Sequence, residues 1–231
     1  MATKTADNES FVRWLQDVVG VHVDGWAGND TRKAVERLLT VPERPALASS
    51  PLTERAVLEI LHHEAIVQEA YKDSVGVWTW GVGVTSRSGH NVERYKDNPQ
   101  SLVKCIEVYV WLLREKYLPD VVEVFKGLQI TEWQWAAALS FHYNTGAIKS
   151  ASWVKSWKAG DTAKATEEFM NWSKPAEIIP RRKAERDLFF HGKWSGDGKA
   201  MVWPVKKPSY SPDWRGGRKV DVTKAVKEAM E

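Results

Sequence analysis

Apolar positions recur at helical spacing along most of this chain and alternate in one short stretch. Between residues 9 and 39, Phe11, Trp14, Leu15, Val18 and Val19 share a helical face, Val23-Asp24-Gly25 turns, and Ala34, Val35 and Leu38 mark a second helix with Asp30 or Thr31 as its cap. Residues 51–64 place Leu52, Ala56, Val57, Ile60 and Leu61 on one face and predict a helix that ends at Glu64. Residues 66–85 instead break into short alternating runs with glycines at 76, 81 and 83, the pattern of a small β-sheet. Helical periodicity returns at about 100–117, 131–144, 151–158, 161–172 and 178–190, with Gly160-Asp161 as a turn and cap, and the last ten residues, VTKAVKEAME, are helical again. The predicted fold class is α+β, mainly helical.

Composition divides the chain. VPERPALASSP, residues 41–51, carries three prolines and reads as a linker between a small helical module at 1–40 and a larger domain at 52–193. Residues 194–231, with Pro204, Pro208, Pro212 and Gly216-Gly217, form a C-terminal extension. The 33 basic side chains exceed the 30 acidic ones only slightly, which excludes a dedicated nucleic-acid binder, and the surplus lies in the extension. RRKAER at 181–186 is interrupted by Glu185 and followed by Asp187, Leu188, Phe189 and Phe190, so it reads as the solvated face of an amphipathic helix. The single cysteine, Cys105, sits in the apolar helical run LVKCIEVYVWLL, a packed core residue with no disulfide or zinc partner. His62, His63, His142 and His191 lack metal-ligand spacing, so no metal is expected. No membrane span is legible, and the start MATKTADNES lacks the order of a signal peptide, which predicts accumulation in the cytoplasm. The 13 tryptophans suit either a core or a cleft that stacks sugars.

The chemistry concentrates in HHEAIVQEAYKDSVGVWTWGVGV, residues 62–84. Glu64 at a helix end, Asp73 in a KDS turn and Thr79 in a Trp-flanked strand are delivered to one helix–sheet junction, where clefts form. Glycosidic hydrolysis needs one carboxyl that gives a proton to the leaving oxygen and a second that directs water or stabilises positive charge. Glu64, among Leu61, Ala65 and Ile66, suits the first role, and Asp73, beside Lys72 and Ser74, the second. A threonine hydroxyl donates to one group and accepts from another, which suits Thr79 to holding a water against Asp73.

Glu, eight residues, Asp, five residues, Thr, then a glycine-rich strand resembles the catalytic signature of the phage-type lysozymes, glycoside hydrolase family 24. SFHYNTGAIKSASWVKSW (140–157) is similar to that family's Phe-Asn-x-Gly segment, with Asn144 and Gly146 in place, and IIPRRKAERDLFFHGKW (178–194) to its closing Arg-Arg helix. The resemblance implies a lysozyme-like two-lobed domain that hydrolyses the β-1,4 bond between N-acetylmuramic acid and N-acetylglucosamine. It makes Glu64 the general acid, with Asp73 and Thr79 completing the set, Arg181 (or adjacent Arg182) facing the acid, and Asn144 in support. Val84 stands where the family often has a histidine, and His90 is nearby. Residues 12–39 resemble a small peptidoglycan-binding domain, which assigns Asp24, Gly25, Trp26 and Thr31 to wall binding. The implied protein is an endolysin without cofactor, a monomer acting on peptidoglycan glycan strands after a holin opens the inner membrane. A lytic transglycosylase and a non-catalytic wall or virion protein are the alternatives.

Overall fold

In the computed structural model, which describes residues 3–39 and 51–231, α1 spans Thr3–Val19 and α2 spans Asn29–Leu39. These helices belong to one compact unit, Met1–Ser49, and the rest of the chain to a second, Ser50–Glu231. Residues 41–50 of the expected linker lie outside the described residues. Buried Gln16 organises the first unit, its amide nitrogen donating to Asp24 Oδ1 at 2.6 Å, Trp26 O at 3.0 Å and Thr31 Oγ1 at 3.0 Å. Its oxygen accepts from the Asp24 and Gly25 amides at 3.1 and 2.8 Å. Thr31, expected to cap α2, lies instead within its first turn, because its hydroxyl answers the buried Gln16 amide.

The second unit begins with α3 (Glu54–His62), whose first turn is capped by the Thr53 side chain accepting from Ala56 N. A sheet follows, β1 (Ala65–Lys72), β2 (Trp78–Gly81) and β3 (Val84–Thr85). The stretch expected as one helix at 100–117 is α4 (Leu102–Leu112) followed by a π-helical turn at Leu113–Tyr117, after which α5 runs Leu118–Val124. Then come α6 (Glu132–Thr145), opened by a Thr131/Gln134 capping box, and α7 (Ser152–Lys158). Helix α8 (Thr162–Phe169) is capped by Asp161, as its sequence predicts, and α9 (Ile179–His191) is closed by Gly192. Trp80 and Trp153 are wholly buried, while Trp78, Trp135, Trp157, Trp172 and Trp194 pack against the same core, so most of the tryptophan content is structural. Cys105 is buried there too, and burial pushes its thiol up to about 12. No described helix is long and apolar enough to cross a membrane.

Residues 194–231 are integral to this unit. Strands β4 (Lys199–Val202) and β5 (Arg218–Asp221) extend the sheet to the order β3-β2-β1-β4-β5, with β4 parallel to β1 and the other pairs antiparallel. Helix α10 (Thr223–Met230) packs on α4 and α3 through buried Val226. The entry to this segment is fixed by Glu59 of α3, 2% exposed, which accepts from Ser195 N, Ser195 Oγ and Gly196 N at 2.9, 2.6 and 2.7 Å. Burial works to raise the Glu59 carboxyl, but hydrogen bonds from His63, Ser195 and Gly196 outweigh it and hold it below the usual glutamate range.

Two outcomes follow from this anchoring. Val226→Ala removes buried methyl groups and lowers stability by about 2 kcal/mol, read as a clear fall in melting temperature; no change would mean that α10 is not part of the core. A depressed carboxyl contributes stability above its unfolded pKa and loses it as pH falls through the folded value. Glu59→Gln therefore melts below the parent at about pH 7, and the gap narrows towards about pH 3.

Candidate active site

Glu64 sits between helix and sheet. Helix α3 stops at His62, one turn closed by His63 N on Ile60 O and Leu61 O, and the Glu64 amide donates to Leu61 O at 3.1 Å before β1 begins at Ala65. Glu64 thus lies just beyond the helix rather than ending it, with its side chain 21% exposed. Arg181 Nη1 donates to Glu64 Oε1. Tyr71, Tyr109, Tyr117 and Tyr143 surround the same carboxylate closely enough to feel its charge: burial first, then Asp73 and Glu64, pushes Tyr71 up to about 12, and burial with Glu64 raises the other three. Their rings pack edge to face, Tyr109 on Tyr143 at 5.3 Å and Tyr117 on Tyr143 at 4.9 Å. Tyr143 Oη donates to Val82 O at 2.6 Å, and Gly83 has φ +68° where a Cβ would press to 3.1 Å from that hydroxyl. A cavity of about 390 Å³ opens beside Tyr117, bounded by Gly83, Thr85, Arg87 and Lys116.

The helix expected to present a solvated charged face does the reverse. Arg181, Arg182 and Glu185 of α9 are 8%, 0% and 1% exposed. Burial is possible because each charge is answered: Arg181 Nε donates to Glu185 Oε1 at 2.8 Å and Arg181 Nη2 to Ser140 O and Oγ, Ser140 Oγ donates to Glu185 Oε1 at 2.6 Å, and Arg182 donates to Glu185 Oε2, Asn144 Oδ1 and Trp172 O. The i, i+3 and i, i+4 spacing that looks like a surface ladder is the spacing this buried cluster needs. The structure places Arg181, not Arg182, on Glu64, and Asn144 on Arg182. Burial works against the Arg181 cation, but the Glu64 and Glu185 carboxylates outweigh it and hold its pKa above the ordinary arginine value.

Asp73 begins the turn between β1 and β2. Its Oδ1 accepts from Val75 N and Val77 N at 3.0 and 2.8 Å, and its backbone N–H donates to Val77 O at 3.0 Å. Its Oδ2 has no donor among the described residues, which leaves one oxygen for a water. Thr79, 4% exposed, is paired across the strands with Tyr71, and its hydroxyl donates to Val77 O at 3.2 Å. No hydrogen bond joins Thr79 to Asp73; with its proton committed to Val77, Thr79 meets a water only as an acceptor. His90 stacks on Trp80 and bonds Tyr95 Oη at 3.0 Å, inside the β-lobe.

In the first unit, Asp24, Gly25, Trp26 and Thr31 are gathered around Gln16, a residue the sequence pattern did not single out. The Gln16 amide, then the Trp26 N–H, hold the Asp24 carboxyl below the usual aspartate range. Trp26 is 74% exposed beside a cavity of about 550 Å³ that Gln16, His22, Asp24 and Thr31 also line.

A glutamate at a helix–sheet junction, held by an arginine from a distant helix, and an aspartate in the adjoining hairpin turn lie within a domain of lysozyme-like fold. The chain belongs to the phage lysozyme family, whose model, described as Phage lysozyme, matches residues 61–185. It is 32% identical over 111 residues to an endolysin of Bacillus phage B103, a match covering 42% of this chain and 41% of that relative's length. Solved structures share the fold: an endolysin from Escherichia coli O157:H7 phage FAHEc1 (TM-score 0.56, 23% identity, 62% of this chain and 96% of that one) and a P22 lysozyme mutant (0.51, 23%, 60% and 97%). The muramidase domain of SpmX from Asticaccaulis excentricus is a third (0.51, 20%, 59% and 95%).

The buried cluster sets a stability test. Glu185→Ala leaves two buried guanidinium groups without their shared carboxylate and costs about 3–5 kcal/mol, whereas Lys183→Ala on the exposed side of α9 costs under about 0.5 kcal/mol. Urea denaturation of the two variants separates a buried cluster from a solvated face.

Proposed function

We propose that this protein is a peptidoglycan hydrolase that cleaves the β-1,4 bond between N-acetylmuramic acid and N-acetylglucosamine. Glu64 gives its proton to the leaving oxygen as the anomeric carbon–oxygen bond breaks. Asp73, through its unengaged Oδ2, positions or activates the water whose oxygen joins that carbon from the opposite face, and Thr79 accepts from the same water. Acetal hydrolysis of this kind calls for no cofactor. The observation that carries the reading is the Arg181–Glu64 contact: a buried arginine holds one oxygen of a partly buried carboxyl and leaves Oε2 without a donor among the described residues. Asp73 provides the second carboxylate that a hydrolase needs and a lytic transglycosylase does not. Trp26 and the cavity beside it suit a sugar-stacking site, which assigns the first unit to wall attachment. Release to the wall through a holin, and action as a monomer, belong to the same proposal; the naming of similar proteins as endolysins supports its lytic role.

The test is turbidity loss of permeabilised Gram-negative cells, with mass spectrometry of the released fragments. The parent clears the suspension and its fragments each carry the added mass of one water; Glu64→Gln and Asp73→Ala fall at least about 100-fold. Anhydro-muramyl ends would make the protein a transglycosylase. Wall pull-down without clearance would make it a binding protein.

A further inference from the structure

Within the C-terminal segment outside the family match, Tyr210 contacts both residues that flank the turn between β1 and β2. Its carbonyl accepts from Lys72 N at 2.7 Å, and its ring meets Trp78 edge to face at 5.3 Å. Lys72 and Trp78 are cross-strand partners that close the 73–77 turn. They are also the residues immediately before Asp73 and Thr79. One residue therefore grips both ends of the turn that presents the second carboxylate.

Tyr210 is itself held with unusual firmness. Its hydroxyl donates to Asp97 Oδ2 at 2.8 Å and Oδ1 at 3.0 Å, and the ammonium groups of Lys207 and Lys96 lie 4.0 and 4.8 Å from its ring centre. Lys207 pairs with both Asp97 and Glu69, and Asp97 N donates to Glu69 Oε1 at 2.9 Å, which ties the loop to β1. Among the described residues, Asp97 and Tyr210 are the only non-glycine residues with positive φ, 55° and 57°, and they are hydrogen-bonded to each other. Left-handed backbone is disfavoured for residues with side chains; it persists where surroundings over-determine it, and such positions cluster at functional sites. Sheet extension by β4 and β5 needs none of this, since the loop lies between those strands.

We propose that Tyr210 is a positioning residue: braced by Asp97 and Lys207, it sets the Asp73 turn so that the carboxylate and the Thr79 hydroxyl share one water. The proposal rests on Asp73 acting as the second carboxylate. A small displacement of such a group costs rate more than binding.

The experiment compares the parent with Tyr210→Ala and Tyr210→Phe in the full chain, measuring kcat and KM on soluble peptidoglycan fragments, melting temperature, and amide hydrogen exchange of residues 73–77. Tyr210→Ala lowers kcat about tenfold or more, leaves KM within about twofold, shifts melting by only a few degrees, and speeds exchange at the Val75 and Val77 amides while α6 stays protected. Tyr210→Phe, which keeps the ring on Trp78 and under Lys207 but loses the hydroxyl's bonds to Asp97, falls between Tyr210→Ala and the parent. Trp78→Leu breaks the same contact from the other side and shows the same signature, which preserves the test should Tyr210→Ala not fold. Unchanged kcat in Tyr210→Ala, or a rate loss that merely tracks a general loss of protection, overturns the proposal. A parent with no glycan cleavage overturns the functional reading instead, while exchange at 73–77 still reports whether Tyr210 holds the turn.

Discussion

The site depends on one buried cation. Arg181 reaches from α9 to the junction of α3 and β1, where it donates to Glu64 while its Nε donates to Glu185. A guanidinium can lie this deep only if its charge is answered on several sides, because the cost of removing it from water is returned only by close, well-directed partners. Glu185, Ser140 and Glu64 are those partners, and Arg182 with Asn144 and Trp172 completes the cluster. The Glu64 side chain is thus held from helix α9, through an arginine that α6 also contacts at Ser140.

Asp73 is positioned by different means. Asp73 is held by its own turn, through Val75 and Val77, and that turn is part of a sheet whose far side is built from the end of the chain. Parallel pairing of β1 with β4 brings residues 199–202 beside the strand that joins Glu64 to Asp73. Tyr71, whose hydroxyl is raised by burial and then by both carboxylates, belongs to a set of four tyrosines drawn from β1, α4, α6 and the π-helical turn. Helical lobe, sheet and C-terminal segment therefore each contact one part of the candidate site.

Much of this was legible in the amino-acid pattern. The change from helical to alternating periodicity after residue 62 and the Asp161 cap correspond to what is observed. Local pattern failed where long-range partners decide. The 181–186 charges have surface spacing but are buried, since Ser140 and Glu64 are brought to them only by folding. The π-helical turn at Leu113–Tyr117 adds no break in hydrophobic period, and β4 and β5 are four residues each, too short to alternate visibly. Gln16 carried no signal at all, being one polar residue between Leu15 and Asp17 whose importance comes from the turn it fills.

The central claim is that Glu64 and Asp73 address opposite faces of one anomeric carbon. A crystal structure of the Glu64→Gln protein with a bound oligosaccharide of N-acetylated sugars tests it most directly. The account predicts the glycosidic oxygen within hydrogen-bond distance of the residue at 64 and a water on the far face of the ring, bound to Asp73 Oδ2. A saccharide seated away from both side chains, or one whose far face is closed to Asp73, would contradict it.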